Sequence, residues 1–118
     1  MAPRAFITGL EGLTVSAAER AFLRETDPWG LILFKRNVEN AKQVADLVAD
    51  FRAFLGRPDA PVLIDQEGGR VQRLQPPNWP AYPPGAAFGA LYQRRSAEGI
   101  AAARLGSHLI ASDLAALG

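Results

Sequence analysis

The chain has no cysteine, one histidine and one methionine among its 118 residues. Without cysteine, disulfide bonds and thiolate metal sites are excluded, and a reducing compartment is compatible with the composition. One histidine and no carboxylate cluster at ligand spacing predict no metal site. The net charge is only +1, which gives no electrostatic reason to expect binding to nucleic acid or to an anionic membrane surface.

Long hydrophobic runs are also missing. The N-terminal residues lead into a short apolar patch that Thr8, Gly9 and Glu11 interrupt, so it lacks the apolar segment of a signal peptide. No run approaches the length of a membrane-spanning helix. A length of 118 residues suits one domain with one core. We therefore expect a cytoplasmic protein that does not associate with membranes.

Short apolar runs alternate with helical patterns along the chain. The predicted strands are residues 5–8, 30–34 and 62–64. A first helix is expected to begin at a capping box formed by Ser16 and Glu19, and to end before Pro28. A last, Ala-rich helix with an imperfect apolar stripe is expected over residues 96–117, after a Pro-rich loop at residues 76–85.

The clearest predicted helix follows Asn40, which can cap it. Its apolar residues recur at helical spacing and would form one face, consisting of Val44, Leu47, Val48, Phe51 and Leu55. Gly56 suits the position after the helix, and Pro58 prevents its continuation.

Alternating strands and helices predict a parallel sheet with right-handed crossovers. An open doubly wound sheet usually has a Gly-rich phosphate-binding turn after its first strand, and residues 9–13 do not form one. A TIM-type (β/α)8 barrel instead carries polar residues at the C-terminal ends of successive strands. Residues 35–37 (Lys-Arg-Asn) and 65–67 (Asp-Gln-Glu) stand at those places, so the α/β barrel is the favoured architecture.

Residues 65–73 read Asp-Gln-Glu-Gly-Gly-Arg-Val-Gln-Arg directly after an apolar strand. This block closely resembles glycoside hydrolase family 3, specifically its bacterial β-N-acetylhexosaminidases. Residues 31–34 (Leu-Ile-Leu-Phe), followed by Arg36 and Asn37, match the second strand of that family and its exit. The Pro-rich loop and residues 88–91 resemble the family's third loop and helix start, so the resemblance covers essentially the whole chain.

The resemblance implies a TIM-type barrel that hydrolyses terminal β-linked N-acetylglucosamine with retention, without a cofactor, in the recycling of cell-wall muropeptides. Asp65 and Arg73 match the residues that bind the non-reducing sugar. The family's nucleophilic aspartate and its His–Asp pair for proton transfer lie on later loops, and the Lys-His-Phe-Pro-Gly-His-Gly block is absent here. No catalytic residue is therefore expected in this chain.

Each candidate residue also has a structural interpretation. Asp65 could instead pair with Arg70 or cap a loop, and Arg73 could be a surface or salt-bridge arginine. Glu67 is expected to be a partner of Arg70 or of loop N–H groups rather than a catalytic acid.

The sequence offers several further candidate residues. Arg36 and Asn37 are expected to brace loops. Gly68 and Gly69 are expected to make a tight turn rather than a phosphate cradle. Trp79 and Tyr82 could form an apolar platform for a sugar or cover the core. His108 is expected to have no ligand role.

A complete barrel needs about 250 residues and eight strands. We therefore expect residues 1–118 to be the N-terminal part of a barrel domain, with about three βα units, and to lack hydrolase activity alone. The alternatives are a non-catalytic sugar-binding remnant, part of a family 3 β-glucosidase, or an open phosphate-binding α/β domain.

Overall fold

The computed structural model describes residues 2–118, which divide into two compact units. The first unit contains residues 2–64 and 117–118, and the second contains residues 65–116. In chain order the elements are β1 (Arg4–Thr8), α1 (Ala17–Thr26), β2 (Pro28–Leu33), a 3-10 helix (Lys35–Asn37), α2 (Ala41–Leu55), β3 (Val62–Ile64), β4 (Gln66–Gly68), β5 (Val71–Gln72), α3 (Gly85–Arg94) and α4 (Ser96–Ala115). Among the helices of residues 2–118, none has the length and apolar character needed to cross a membrane.

A parallel sheet with strand order β1-β2-β3 organises the first unit. Leu31 of β2 is in register with Thr8 of β1 and with Val62 of β3. Gly30 is needed in β2 because a Cβ there would lie 2.8 Å from the carbonyl oxygen of Pro61, which accepts the Leu31 N–H at 2.9 Å. Because the pairing is parallel, β2 and β3 end at the same edge of this open sheet.

Both helices of the first unit begin at side chains that satisfy free backbone N–H groups. The Ser16 hydroxyl accepts the Glu19 N–H at 3.2 Å, and the Glu19 carboxylate accepts the Ser16 N–H at 2.8 Å, which confirms the predicted capping box. The Asn40 side chain accepts the Gln43 N–H at 2.9 Å, and α2 ends at Gly56 with φ of 64°.

The core of the first unit contains apolar residues of β2 and of the predicted face of α2. Leu31, Val44 and Phe51 are 0% exposed, and Leu47 is 2% exposed. Burial of each of these side chains stabilises the fold by about 1.5–3 kcal/mol, so this face supplies most of the free energy that packs α2.

The second unit contains an antiparallel ladder of β4 and β5 and a pair of helices. Gln66 pairs with Gln72, and Gly68 with Val71, with an irregularity between them. The helices α3 and α4 pack closely because Gly99 is small: a Cβ there would lie 2.5 Å from the Cα of Tyr92. A Cβ at Gly106 would likewise lie 2.9 Å from the Phe88 ring.

Several predicted boundaries are wrong. Strand β2 begins at Pro28 and ends at Leu33, and residues 66–72 form a ladder that the sequence did not predict. The helix α3 is separate from α4, which begins at Ser96 as predicted. The apolar stripe of α4 is not a buried face within the described residues, since its Leu105 is 60% exposed. The described sheet has three strands, so no closed barrel is present.

Candidate functional site

Asp65 and Arg73 form an ion pair in the second unit. Asp65 directly follows β3, and Arg73 directly follows β5. Arg73 Nη2 donates to Asp65 Oδ2 at 3.2 Å, and the side chains are 27% and 42% exposed respectively. Asp65 Oδ1 accepts no hydrogen bond from residues 2–118. The sequence singled out both residues, and the structure brings them together with one carboxylate oxygen still available to a ligand.

Gln66 connects the two ends of this loop. Its side chain is 8% exposed, and its Oε1 accepts the backbone N–H groups of Arg73 at 2.9 Å and Leu74 at 3.0 Å. Its Nε2 donates to the Leu74 carbonyl at 2.9 Å. Because Gln66 adjoins Asp65 in the chain, these bonds hold the backbone of Arg73 next to that of Asp65. Sequence reasoning missed this role, because the burial of the amide and its partners seven and eight residues away are set by the fold.

Gln72 connects the same loop to the Pro-rich segment. It is 3% exposed, and its Nε2 donates to the carbonyl groups of Leu74 at 2.8 Å and Pro80 at 2.6 Å. Its Oε1 accepts the Tyr82 N–H at 3.0 Å. A buried amide with every polar atom bonded imposes one arrangement on the segments it joins.

The glycine pair makes the turn between β4 and β5. Gly68 and Gly69 have φ of 87° and 62°, a region that other residues rarely adopt. A Cβ on Gly68 would lie 2.2 Å from the Pro83 carbonyl oxygen. Gly69 N–H donates to the Tyr82 carbonyl at 2.9 Å, so this N–H is already used within the protein. The pair therefore acts as a tight turn against the Pro-rich segment, as the sequence predicted.

The expected partnership between Glu67 and Arg70 is wrong. Both residues are exposed, and no ion pair or hydrogen bond joins them in the described residues. Between Glu67 and Arg70 the backbone passes through positive φ at Gly68 and Gly69, and the carboxylate that pairs with an arginine of this block is Asp65, with Arg73 instead of Arg70. Within residues 2–118, neither the Glu67 nor the Arg70 side chain forms a hydrogen bond or an ion pair.

Arg36 and Asn37 lie in the first unit and brace the loop that follows β1. Asn37 is 0% exposed, its Nδ2 donates to the carbonyls of Leu10 at 3.1 Å and Gly12 at 2.7 Å, and its Oδ1 accepts the Phe34 N–H at 2.9 Å. Arg36 Nε donates to the Leu10 carbonyl at 2.8 Å. These contacts give both residues a bracing geometry.

Glu19 holds the same loop from α1. Its Oε1 accepts the Glu11 N–H at 2.6 Å, in addition to the capping-box bond at Ser16. Burial alone would raise the pKa of Glu19, but the N–H groups of Ser16 and Glu11, aided by the Ser16 hydroxyl and the charge of Arg36, lower it below its ordinary value. The loop after β1 is thus held by a carboxylate that stays ionised.

The aromatic residues of the Pro-rich loop differ in role. Trp79 is 7% exposed, so its ring is buried and does not offer a face to a sugar. Tyr82 is half-buried, and its hydroxyl donates to Asp113 Oδ2 at 2.5 Å. His108 is exposed on α4. Within residues 2–118, no three His, Cys, Asp or Glu side chains cluster in a way that could hold a metal ion.

Comparison with known proteins supports the resemblance seen in the 65–73 block. No protein-family model matches the chain. A β-hexosaminidase from Xanthomonas campestris pv. campestris (strain B100) is 41% identical over 112 residues, which is 95% of this chain and 33% of that protein. A solved glycoside hydrolase family 3 β-N-acetylglucosaminidase from Paenibacillus sp. str. FPU-7 is 34% identical, with a TM-score of 0.79 over 95% of this chain and 20% of that one.

The chain belongs to glycoside hydrolase family 3. Its fold also matches NagZ from Neisseria gonorrhoeae in complex with N-trifluoroacetyl-D-glucosamine, with a TM-score of 0.89 and 28% identity. That match covers 98% of this chain and 34% of the NagZ chain. The chain thus spans about a third of the length of the curated β-hexosaminidases it matches.

Proposed function

We propose that this chain is the sugar-binding N-terminal part of a family 3 β-N-acetylhexosaminidase. In this proposal it forms the beginning of a TIM-type barrel that hydrolyses terminal β-linked N-acetylglucosamine with retention. Two kinds of finding support it. The relatives are named as β-hexosaminidases or as a β-N-acetylglucosaminidase, and one related structure holds N-trifluoroacetyl-D-glucosamine.

The observation that carries the proposal is the Asp65–Arg73 pair after strand β3. An ionised carboxylate accepts hydrogen bonds from hydroxyl groups strongly, and its free Oδ1 can receive one without breaking the ion pair. The planar Arg73 guanidinium limits the rotation of Asp65, and in this proposal it also contacts the sugar. Such a pair orients a sugar, and it supplies neither a nucleophile nor a proton.

The chemical step is assigned to residues outside this chain. Retaining hydrolysis requires a carboxylate nucleophile and a separate group that moves the proton. In our proposal Asp65 is committed to binding, Glu67 lies exposed on β4, and the 118-residue chain alone does not turn over substrate. We also propose that the whole enzyme works in the cytoplasm on N-acetylglucosamine-containing muropeptides.

Calorimetric titration of the chain with N-acetylglucosamine tests the binding role. A sugar with about 15 non-hydrogen atoms, at about 0.3 kcal/mol per atom, should bind with a Kd near 1 mM. Asp65→Asn keeps the shape of the side chain and removes its charge, and it should weaken binding roughly tenfold or more. The matched control is Asp59→Asn, because Asp59 is exposed and forms no hydrogen bond within the described residues. Equal affinity of Asp65→Asn and the unsubstituted chain would overturn the assignment.

An aryl N-acetylglucosaminide tests whether the chain carries out the chemical step or only binds the sugar. We expect no release of the aryl group by the pure chain, because binding without a nucleophile leaves the glycosidic bond intact. Sustained turnover that survives repurification would show that the reacting groups lie within these residues. Comparing N-acetylglucosamine with glucose in the same titration separates the hexosaminidase from a β-glucosidase parent, since the latter should not favour the acetamido sugar.

A further inference from the structure

Tyr82 stands at a junction of three segments of the second unit. Its backbone N–H donates to Gln72 Oε1 at 3.0 Å, and its carbonyl accepts the Gly69 N–H at 2.9 Å. Its hydroxyl donates to Asp113 Oδ2 at 2.5 Å, across 31 residues of sequence. One residue of the Pro-rich loop thus connects the loop that carries Asp65 and Arg73 to helix α4.

The contacts between Tyr82 and the 65–73 loop allow little relative movement. Gly69 and Gln72 both lie between Asp65 and Arg73, and both bond to the backbone of Tyr82. Beside them, the backbone of Gly68 touches that of Pro83 so closely that a Cβ would lie 2.2 Å from the Pro83 oxygen. A shift of Tyr82 must therefore move the turn that joins Asp65 to Arg73.

The Pro-rich loop cannot hold Tyr82 in place by regular structure. Prolines at positions 76, 77, 80, 83 and 84 have no N–H to donate. Helix α4, by contrast, is a rigid element, and Asp113 lies in its last turn. The hydrogen bond to Asp113 raises the pKa of Tyr82, and burial and the carboxylate charge act in the same direction, so the hydroxyl stays a donor.

We propose that Tyr82 and Asp113 are positioning residues that set the geometry of the Asp65–Arg73 pair from helix α4. The sugar-binding consequence rests on the proposed function, whereas the effect on the loop does not. Without this tether, the turn at Gly69 would open more often, and Arg73 would meet a sugar in several orientations instead of one.

Hydrogen exchange and sugar titration on the whole chain test the tether together. In Tyr82→Phe, which keeps the ring and removes only the hydroxyl, the amides of Gly69 and Arg73 should exchange about fivefold faster or more, with Phe51 as an internal reference. Affinity for N-acetylglucosamine should fall by about the same factor. Asp113→Ala should behave like Tyr82→Phe, whereas Asp113→Asn should behave like the unsubstituted chain, because an amide oxygen still accepts the hydroxyl.

Tyr92→Phe is the matched control, since Tyr92 is 52% exposed and its hydroxyl forms no hydrogen bond in the described residues. Unchanged exchange at Gly69 and Arg73 in Tyr82→Phe would overturn the proposal. Faster exchange with unchanged affinity would overturn it too, because the bond would then stabilise the loop without positioning the pair. If the unsubstituted chain binds no sugar, the proposed function fails, and the exchange data still decide whether the tether exists.

Discussion

Gly68→Ala is the substitution for which the structure predicts the sharpest effect. Gly68 has φ of 87°, and an added Cβ would lie 2.2 Å from the Pro83 carbonyl oxygen and 3.1 Å from that of Tyr82. An alanine at positive φ costs about 1–2 kcal/mol, and forcing a methyl group into packed backbone costs about 1–3 kcal/mol more. We therefore expect Gly68→Ala to lower the free energy of unfolding of the second unit by about 2–5 kcal/mol.

Gly89→Ala is the control because it makes the same chemical change but is expected to raise the free energy of unfolding. Gly89 lies inside α3 with open space around it, so an alanine meets no atom within 4 Å. Glycine is less favourable than alanine in a helix by about 0.8–1 kcal/mol, so this variant should be more stable by about that amount. The two variants change composition equally and differ only in backbone conformation and space.

Urea unfolding followed by tryptophan fluorescence measures both variants. Trp79 lies in the second unit and is 7% exposed, whereas Trp29 lies in the first unit and is 44% exposed. In a Trp29→Phe background the emission therefore reports on the second unit alone, and unfolding should shift it to longer wavelength. A midpoint for Gly68→Ala equal to that of the parent, or above that of Gly89→Ala, would refute the described contact between the turn and the Pro-rich segment.

Two further predictions concern the loop after β1. Asn37→Ala should destabilise the first unit by about 2–4 kcal/mol in urea unfolding, because it removes the three hydrogen bonds of a 0% exposed amide, while Lys35→Ala two residues before it, on an exposed side chain, should have little effect. Glu19→Gln tests the lowered pKa of Glu19: the carboxylate contributes stability above its unfolded-state value of about 4.5 and loses it as the pH falls through the lower folded-state value. The variant should therefore be less stable than the parent at pH 7, and a stability difference that does not shrink on acidification below about pH 4.5 would contradict the assigned hydrogen bonds.

Local signals in the sequence were reliable where neighbouring residues supply the whole interaction. The capping box of Ser16 and Glu19 and the apolar face of α2 depend on contacts three or four residues apart, so they are visible without the fold. Strands β4 and β5 could not be predicted, because segments of three and two residues are too short to show a period. Gly85 and Gly89 weakened the local signal for α3, since glycine lowers helix propensity, and only the family resemblance indicated a helix start at residues 88–91.

The same distinction between local and long-range contacts applies to the candidate site. Asp65 and Arg73 were named from the 65–73 block, and the structure adds that they contact each other at 3.2 Å. The expected Glu67–Arg70 partnership was wrong because sequence proximity does not show which side of a tight turn each side chain takes. The roles of Gln66, Gln72 and Asp113 depend on partners that are up to 31 residues apart, and a sequence pattern does not reveal such partners.

By itself, the sequence determined the alternation of strands and helices, the three parallel strands and the family. Each of these follows from residues close together in the chain: the hydrophobic period, the helix caps and the nine-residue block. The tertiary structure alone decided how the block works as a unit. Buried amides must find their partners wherever the chain folds, and the glycine turn fits only against Pro83. The orientation of Asp65 and Arg73 follows from those long-range bonds.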